Sequence, residues 1–331
     1  MSAHHHTLLR LLSEDRFYSG TELGLRLGIS RSAVWKNVTL LKERGLDVYA
    51  VPGRGYRLTS CFELLDGDLI RAVLPLERQP LLKQLEIFLE IHSTNQYLFD
   101  KAKQGYSSRS VCLAEYQSHG RGRRGRQWIS PLGGNLYLSL LWRFALMHHA
   151  IGSLALICGV AVARVLKGLG VTNVQLKWPN DLYCDGKKLG GLLLEMFGET
   201  SGPCAVVIGL GINISMLRAP NSGLIDQPWI DIESILGTKV SRNELAGRLL
   251  NELFNAIELF EAGGLSPFLS EWLSLDYLKG KMVTLTWGGR DSITGKAAGI
   301  DAQGALLIEQ SGCVRPYHSG EVSVRVAPQR V

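Results

Sequence analysis

Apolar runs crowd the middle of this chain. Residues 85–91, 111–117, 135–144, 174–178, 189–197 and 205–214 all carry strand-like patterns, and several follow one another with no helix between. A doubly wound parallel sheet needs a helix at each crossover, so the pattern favours an α+β arrangement, in which strands can pair directly. Two stretches, 151–167 and 241–262, read as long helices. The second opens on the capping box Ser241/Glu244 and stops at Gly263.

The first sixty residues are organised differently. "TLLRLLSE" reads as a short helix, and "SGTE" (Ser19 to Glu22) is a capping box for a second helix ending at Leu27. Gly28 turns the chain, Ser30 caps a third helix through Lys42, and Gly45 stops it. Val34, Val38 and Leu41 share its inward face, leaving Arg31, Ser32, Trp35 and Lys36 near the exposed front. "LDVYAVPGRGYRLT" then forms two short strands with Arg54 at the tip and Arg57 beside it. A helix-turn-helix (about 20–39) with a basic wing is a DNA-reading arrangement. Its bland alternative is a small helical protein-interaction module. The chain's formal charge of +6 is mild, but residues 1–60 hold nine Lys or Arg against five acids, which is most of the excess.

After about Lys281, short β-like runs alternate with turns, "GGRD", "DAQG" and "SG", as expected of a small barrel. The expected domains are therefore 1–62, 63–275 and 276–331. Cys61, Cys112, Cys158, Cys184, Cys204 and Cys313 stand singly in or beside apolar runs, as reduced cytoplasmic thiols do. No secretory signal opens the sequence, and no role is assigned to His4, His5 or His6. Residues 144–163 lack a formal charge, but internal His and Gly, with Arg164 and Lys167 continuing the pattern, favour a buried core helix over a membrane span.

Common nucleotide fingerprints fail. "GLGIN" (209–213) has Ile214 where a dinucleotide motif needs its third glycine, and "TGKA" lacks the upstream glycine and final Ser or Thr of a P-loop. "GRGRRGRQW" (120–128) carries four arginines between two apolar strands. Such a Gly-rich loop costs about 1–2 kcal/mol per residue to order, and a phosphate offers the charge-assisted contacts that close it. A nucleic-acid patch and a solvated surface loop remain open at this point. "STNQ" (93–96) offers small polar groups at a helix start, or an ordinary N-cap. "KWPNDLYCDGKKLGG" aims Lys187 and Lys188 into an apolar strand, or forms a hairpin with solvated lysines.

Taken in order, "STNQ", "GRGRRGRQW", "KWPNDLY" with "KKLGGLL", and "GLGIN" closely resemble the bacterial bifunctional biotin protein ligases and biotin operon repressors. The resemblance spans almost the whole chain. It implies a winged helix-turn-helix, a central mixed α/β catalytic domain like those of class II synthetases and biotin–lipoate ligases, and a C-terminal SH3-like barrel. It also implies activation of biotin with ATP and Mg2+ to biotinyl-5′-AMP, then transfer to a lysine of the biotin carboxyl carrier protein of acetyl-CoA carboxylase.

By motif matching, Ser93, Thr94, Asn95 and Gln117 line the biotin end. Gly120, Arg121, Gly122 and Arg123 form a closing loop, with Arg121, Arg123 and Lys188 as catalytic cations. Lys188 neutralises carboxylate and phosphate, and Gly191, Gly209 and Gly211 allow close backbone approach. Asn180, Asp181, Asn213, Trp229 and Arg325 belong to the ATP or adenylate side, with Asp181 as a magnesium contact. Ser30, Arg31, Ser32, Trp35, Lys36 and Arg54 face DNA. The adenylate-bound homodimer is expected to bind a palindromic operator in the cytoplasm, without membrane attachment.

Ser118 and His119 before Gly120, and the segment Leu217 to Gln227, depart from the family pattern. Competing readings are a lipoate-type ligase, which is not expected to carry the winged module or "KWPND", and a ligand-responsive repressor without catalysis, which would lack Lys188. A nucleic-acid enzyme would need clustered acidic metal ligands, which the sequence does not offer.

Overall fold

The computed structural model describes residues 3–14, 16–59, 63–145, 151–198, 202–216, 225–287, 291–320 and 322–327. Cys61, residues 146–150 of the uncharged window, 217–224 of the divergent segment and 288–290 of the "GGRD" turn lie outside the described residues.

Helices α1 (Ala3–Ser13), α2 (Gly20–Leu27) and α3 (Arg31–Glu43) precede the hairpin β1 (Val48–Val51) and β2 (Gly55–Leu58). Local signals set these boundaries. Ser19 Oγ accepts from Glu22 N at 3.0 Å, Ser30 Oγ from Ala33 N at 3.2 Å, and Gly28 adopts φ 65° between the two helices. Helical spacing brings Leu8, Leu23, Val34, Val38 and Leu41 into one core, joined by Leu132 from the following region.

The middle of the chain runs α4 (Gly67–Val73), β3 (Gln84–Phe88), α5 (Thr94–Lys103), β4 (Ser110–Ala114), β5 (Asn135–Phe144), α6 (Leu154–Gly168), β6 (Val174–Lys177), β7 (Asp181–Cys184), β8 (Lys187–Gly198), β9 (Cys204–Asn213), α7 (Ile232–Leu236), α8 (Arg242–Gly263) and α9 (Ser266–Leu275). Its seven strands form one sheet in the order β3-β4-β5-β9-β8-β7-β6. Only β3 and β4 pair in parallel; the remaining ladders are antiparallel. Leu136, Leu138, Leu140 and Trp142 of β5 face the core shared with α6, α8 and α9, while Leu141 faces Leu98 and Ala102 of α5. Burial on both faces is why β5 reads as a nearly continuous apolar run.

The segment from Ile151 to Gly168 is long and apolar enough to cross a bilayer. It packs instead on β6, β8 and α8. The apolar run 111–117 leaves the ladder after Ala114, because Glu115 turns inward to accept from Leu65 N at 2.6 Å and from Arg242 Nη1 at 2.7 Å. Asn243 holds the same linker, donating to Leu64 O at 2.9 Å and accepting from Asp66 N at 2.8 Å.

Strands β10 (Met282–Trp287), β11 (Asp291–Ile300), β12 (Leu306–Gln310), β13 (Cys313–Tyr317) and β14 (Ser323–Val326) form a small antiparallel β domain, in the order β13-β12-β11-β10-β14. Its Val283, Leu285, Ala297 and Leu306 extend the central core, and Trp178 Nε1 donates to Gly304 O at 3.0 Å.

Candidate active site

A cleft of about 760 Å³ lies where the sheet, the arginine loop and the C-terminal domain meet. Ser93, Thr94, Asn95, Gln117, Arg121, Gly122, Arg123, Asn180, Asp181, Lys188, Gly191, Gly209, Gly211, Asn213, Trp229 and Arg325 all line it. The topology explains the convergence. The N-terminus of α5 crosses β5 and β9, and the hairpin β7–β8 brings Asp181 opposite Gly191.

One end is a buried neutral network. Gln117 Oε1 accepts from Thr94 N at 2.9 Å and Thr94 Oγ1 at 3.1 Å, while Ser139 Oγ lies 2.8 Å from both Thr94 Oγ1 and Asn95 Oδ1. Asn95 Nδ2 donates to Leu193 O at 3.2 Å and Glu195 Oε2 at 2.8 Å. Ser93 caps α5, its Oγ accepting from Gln96 N at 3.4 Å. Such bonding holds the side chains in one arrangement before a ligand arrives.

The glycines of "GLGIN" make room for these groups. A Cβ on Gly209 would fall 2.2 Å from Asn95 Oδ1, and one on Gly211 2.7 Å from Trp128 Cε2. Their close neighbours are therefore protein side chains, a role that the motif alone did not disclose.

The arginine loop folds on itself. Gly122 N donates to Arg126 O and Trp128 N to Gly120 O, both at 2.8 Å, and Arg124 turns the tip at φ 58°. Arg121 Nη2 lies 2.9 Å from Glu195 Oε2. Arg123 reaches Asn180 Oδ1 at 3.3 Å and the C-terminal domain's Ser319 O and Gly320 O at 2.5 and 2.8 Å. Burial lowers the pKa of Arg123 below the usual guanidinium range, but a guanidinium remains charged at working pH. Two buried donors in the cleft, Trp128 Nε1 and Arg121 Nε, have no partner among the described residues. An unsatisfied buried donor costs about 1–3 kcal/mol, which an acceptor on a ligand removes.

Lys188 Nζ pairs with Asp181 Oδ1 at 2.7 Å and lies 5.5 Å from the Trp128 ring. Its backbone receives Ile230 N at 3.0 Å and donates to Pro228 O at 2.9 Å, so Trp229 is pinned beside it. Asn213 Nδ2 ties the same segment through Ile230 O at 3.1 Å. Arg121, Arg123, Arg124, Arg126, Lys177, Lys188 and Arg325 line the cleft against Asp181 and Asp226. That imbalance makes it an anion site. Among the described residues no group of three or more His, Cys, Asp or Glu is gathered as a metal cage, and Asp181 is engaged by Lys188.

Sequence reasoning overlooked Lys177, Trp128 and Glu195 as site residues. Trp128 ends the arginine motif, but its approach to Gly211 comes only from the fold.

The DNA-side residues lie apart from the cleft. Ser30, Arg31, Ser32, Trp35 and Lys36 are exposed on the start of α3, with Trp35 58% accessible, while Val34 and Val38 are buried. Arg54 at the wing tip stacks 4.5 Å over Phe17. Arg44, which ends α3, pairs with Glu90 and stacks 4.2 Å over Tyr116, and its carbonyl accepts from Leu132 N at 2.8 Å.

Three family models match in order: an HTH domain at residues 4–57, the biotin/lipoate A/B protein ligase family at 87–213, and the biotin protein ligase C-terminal domain at 279–325. The bifunctional ligase/repressor BirA of Salmonella typhimurium is 44% identical over 321 residues, covering 97% of each chain. That of Escherichia coli is 43% identical over 328 residues, with the same coverage. Among solved structures, the biotin protein ligase from Aquifex aeolicus in complex with biotin and ATP matches with a TM-score of 0.64 and 28% identity, covering 74% of this chain and 100% of that one. Similarity that extends through all three regions at this identity shows that the chain belongs to the family of bifunctional biotin ligase/repressors.

Proposed function

We propose that this protein condenses biotin with ATP to biotinyl-5′-AMP, transfers biotin to a lysine of the biotin carboxyl carrier protein of acetyl-CoA carboxylase, and, as an adenylate-bound homodimer, represses biotin synthesis genes at an operator. The observation that carries this reading is one cleft in which a buried neutral network adjoins cations far in excess of acids. A winged module on the same chain supports the regulatory half. Its divisions are 1–62 for DNA, 63–275 for chemistry and 276–331 for the C-terminal domain, and it acts in the cytoplasm.

In this mechanism Ser93, Thr94, Asn95 and Gln117 orient biotin, with Gly191 and Gly209 beside it. A biotin carboxylate oxygen attacks the α-phosphorus and pyrophosphate leaves. Lys188 exchanges Asp181 for the reacting anions, and Arg121 and Arg123 exchange Glu195, Asn180 and the carbonyls for the adenylate phosphate. Charge held in a closed, water-poor site stabilises the transition state and shields the mixed anhydride. Asn180, Asn213, Trp229 and Arg325 serve the ATP side. Where magnesium accompanies ATP, Asp181, once released by Lys188, would be its protein contact and the ion would offset phosphate charge; no step here depends on it. Ser30, Arg31, Ser32, Trp35, Lys36 and Arg54 meet the operator.

Incubation with ATP, magnesium and labelled biotin should give retained adenylate that shifts a promoter fragment; if no adenylate forms, the reading fails. Arg123→Ala should fold normally and release the adenylate about tenfold faster or more, the loss of a charge-assisted contact. A release half-life equal to the wild type's would remove Arg123 from the loop's closing role.

A further inference from the structure

The front of α3 carries a large apolar side chain exposed to solvent. Trp35 is 58% accessible on a helix that buries Val34, Val38 and Leu41. At 3.6 residues per turn, the exposed side chains follow round the helix in the order Arg31, Trp35, Ser32, Lys36. The serines here are tied locally: Ser30 Oγ accepts from Ala33 N at 3.2 Å and lies 2.9 Å from Ser32 Oγ. What this front offers a partner is therefore two cations with an indole between them.

Charge chooses the partner. Arg31 and Lys36 flank the indole, no acid precedes Glu43 on α3, and Arg54 and Arg57 of the wing lie 4.5 and 5.2 Å over Phe17. A polyanion suits that surface, and a recognition helix set in the major groove brings its first turns against base edges. An indole has one N–H donor and no acceptor, so it cannot form the paired bonds with which Arg reads guanine or Asn reads adenine. Its ring suits the one apolar group that base pairs present in that groove, the C5-methyl of thymine.

We propose that Trp35 sets the base preference of the operator by packing its ring against a thymine methyl in each half-site, with Arg31 and Lys36 supplying charge on either side. This rests on the repressor half of the proposed function and adds a sequence requirement to it. Taking the exposed ring face and the methyl out of water together favours only a duplex that carries the methyl at that step. The contact thus separates thymine from the other three bases without a hydrogen bond.

The test loads the full-length protein with biotin and ATP and lets it select a duplex from a random-sequence pool. Each thymine of that duplex is then replaced in turn by deoxyuridine, which keeps every hydrogen-bonding group and removes only the methyl. At one thymine per half-site the wild type should bind the replaced duplex about fourfold more weakly, the effect of burying one methyl group, and about fifteenfold more weakly when both half-sites are changed. Trp35→Ala should bind the thymine duplex at least that weakly and no longer distinguish thymine from deoxyuridine there, whereas Trp35→Phe should keep the difference. Lys36→Met should instead flatten the salt dependence of binding and leave the thymine preference in place. An equal deoxyuridine effect in wild type and Trp35→Ala would mean that another residue reads the methyl and would overturn the proposal. So would the lack of an effect at every thymine, or loss of all duplex binding by a folded Trp35→Ala, which would make the ring a structural or dimer contact. Failure of the loaded wild-type protein to select any duplex is a separate result, which removes the repressor half of the proposed function and this inference with it.

Discussion

Lys188→Ala is expected to slow adenylate formation by about 10²–10³-fold, the effect of removing one preorganised charge or donor from a transition state. The side chain is held in advance by Asp181 at 2.7 Å, and its backbone carries the segment that contains Trp229. Because the substitution keeps those backbone bonds, the loss is electrostatic. It also leaves Asp181 facing the incoming anions without a counter-ion. Single-turnover formation of labelled adenylate at saturating biotin and ATP measures the effect, and Lys188→Ala combined with Asp181→Asn separates its two parts. The double variant should regain only the share due to Asp181. A single variant working at near wild-type rate would mean that Lys188 does not stabilise the reaction.

Arg242→Met is expected to destabilise the central domain by about 3–5 kcal/mol, because it strands a buried carboxylate. Arg242 and Glu115 pair at 2.7 Å with side chains 5% and 2% accessible. Arg242 also donates to the carbonyl of Glu63, and Glu115 accepts from Leu65 N. The pair thus fastens the linker between the winged module and the sheet as well as closing the core. Urea unfolding followed by tryptophan fluorescence measures the loss. A change below about 1 kcal/mol would show that the pair is not a structural anchor.

Much of the fold was legible because its signals are local. The Ser19 and Ser30 caps, the Gly28 turn and the inward Val34–Val38 face each depend on neighbours within a few residues. β7 was harder to read: four residues beginning two positions after Pro179 carry too little alternation to distinguish a strand from a turn. α4 and α7 are likewise short, and α9 begins at Ser266 with no capping box. Residues named from family motifs do come together in one cleft. Lys177 escaped because its place in the cleft comes from the fold, which sets it near Arg325, far away in sequence, and opposite Asp181 on the paired strand. Spacing along the chain conveys neither.

The adjoining residues Tyr116 and Gln117 answer to different masters. Arg44, at the end of the recognition helix, lies against the Tyr116 ring, while Gln117 accepts from Thr94 inside the cleft. One rigid peptide plane joins them. A substitution that shifts Tyr116, against which the winged module rests, also moves the Gln117 amide that bonds Thr94 in the cleft, and the reverse holds equally. The seat of the winged module and the polar end of the cleft thus share a single peptide, and a displacement on one side of it has to be accommodated on the other.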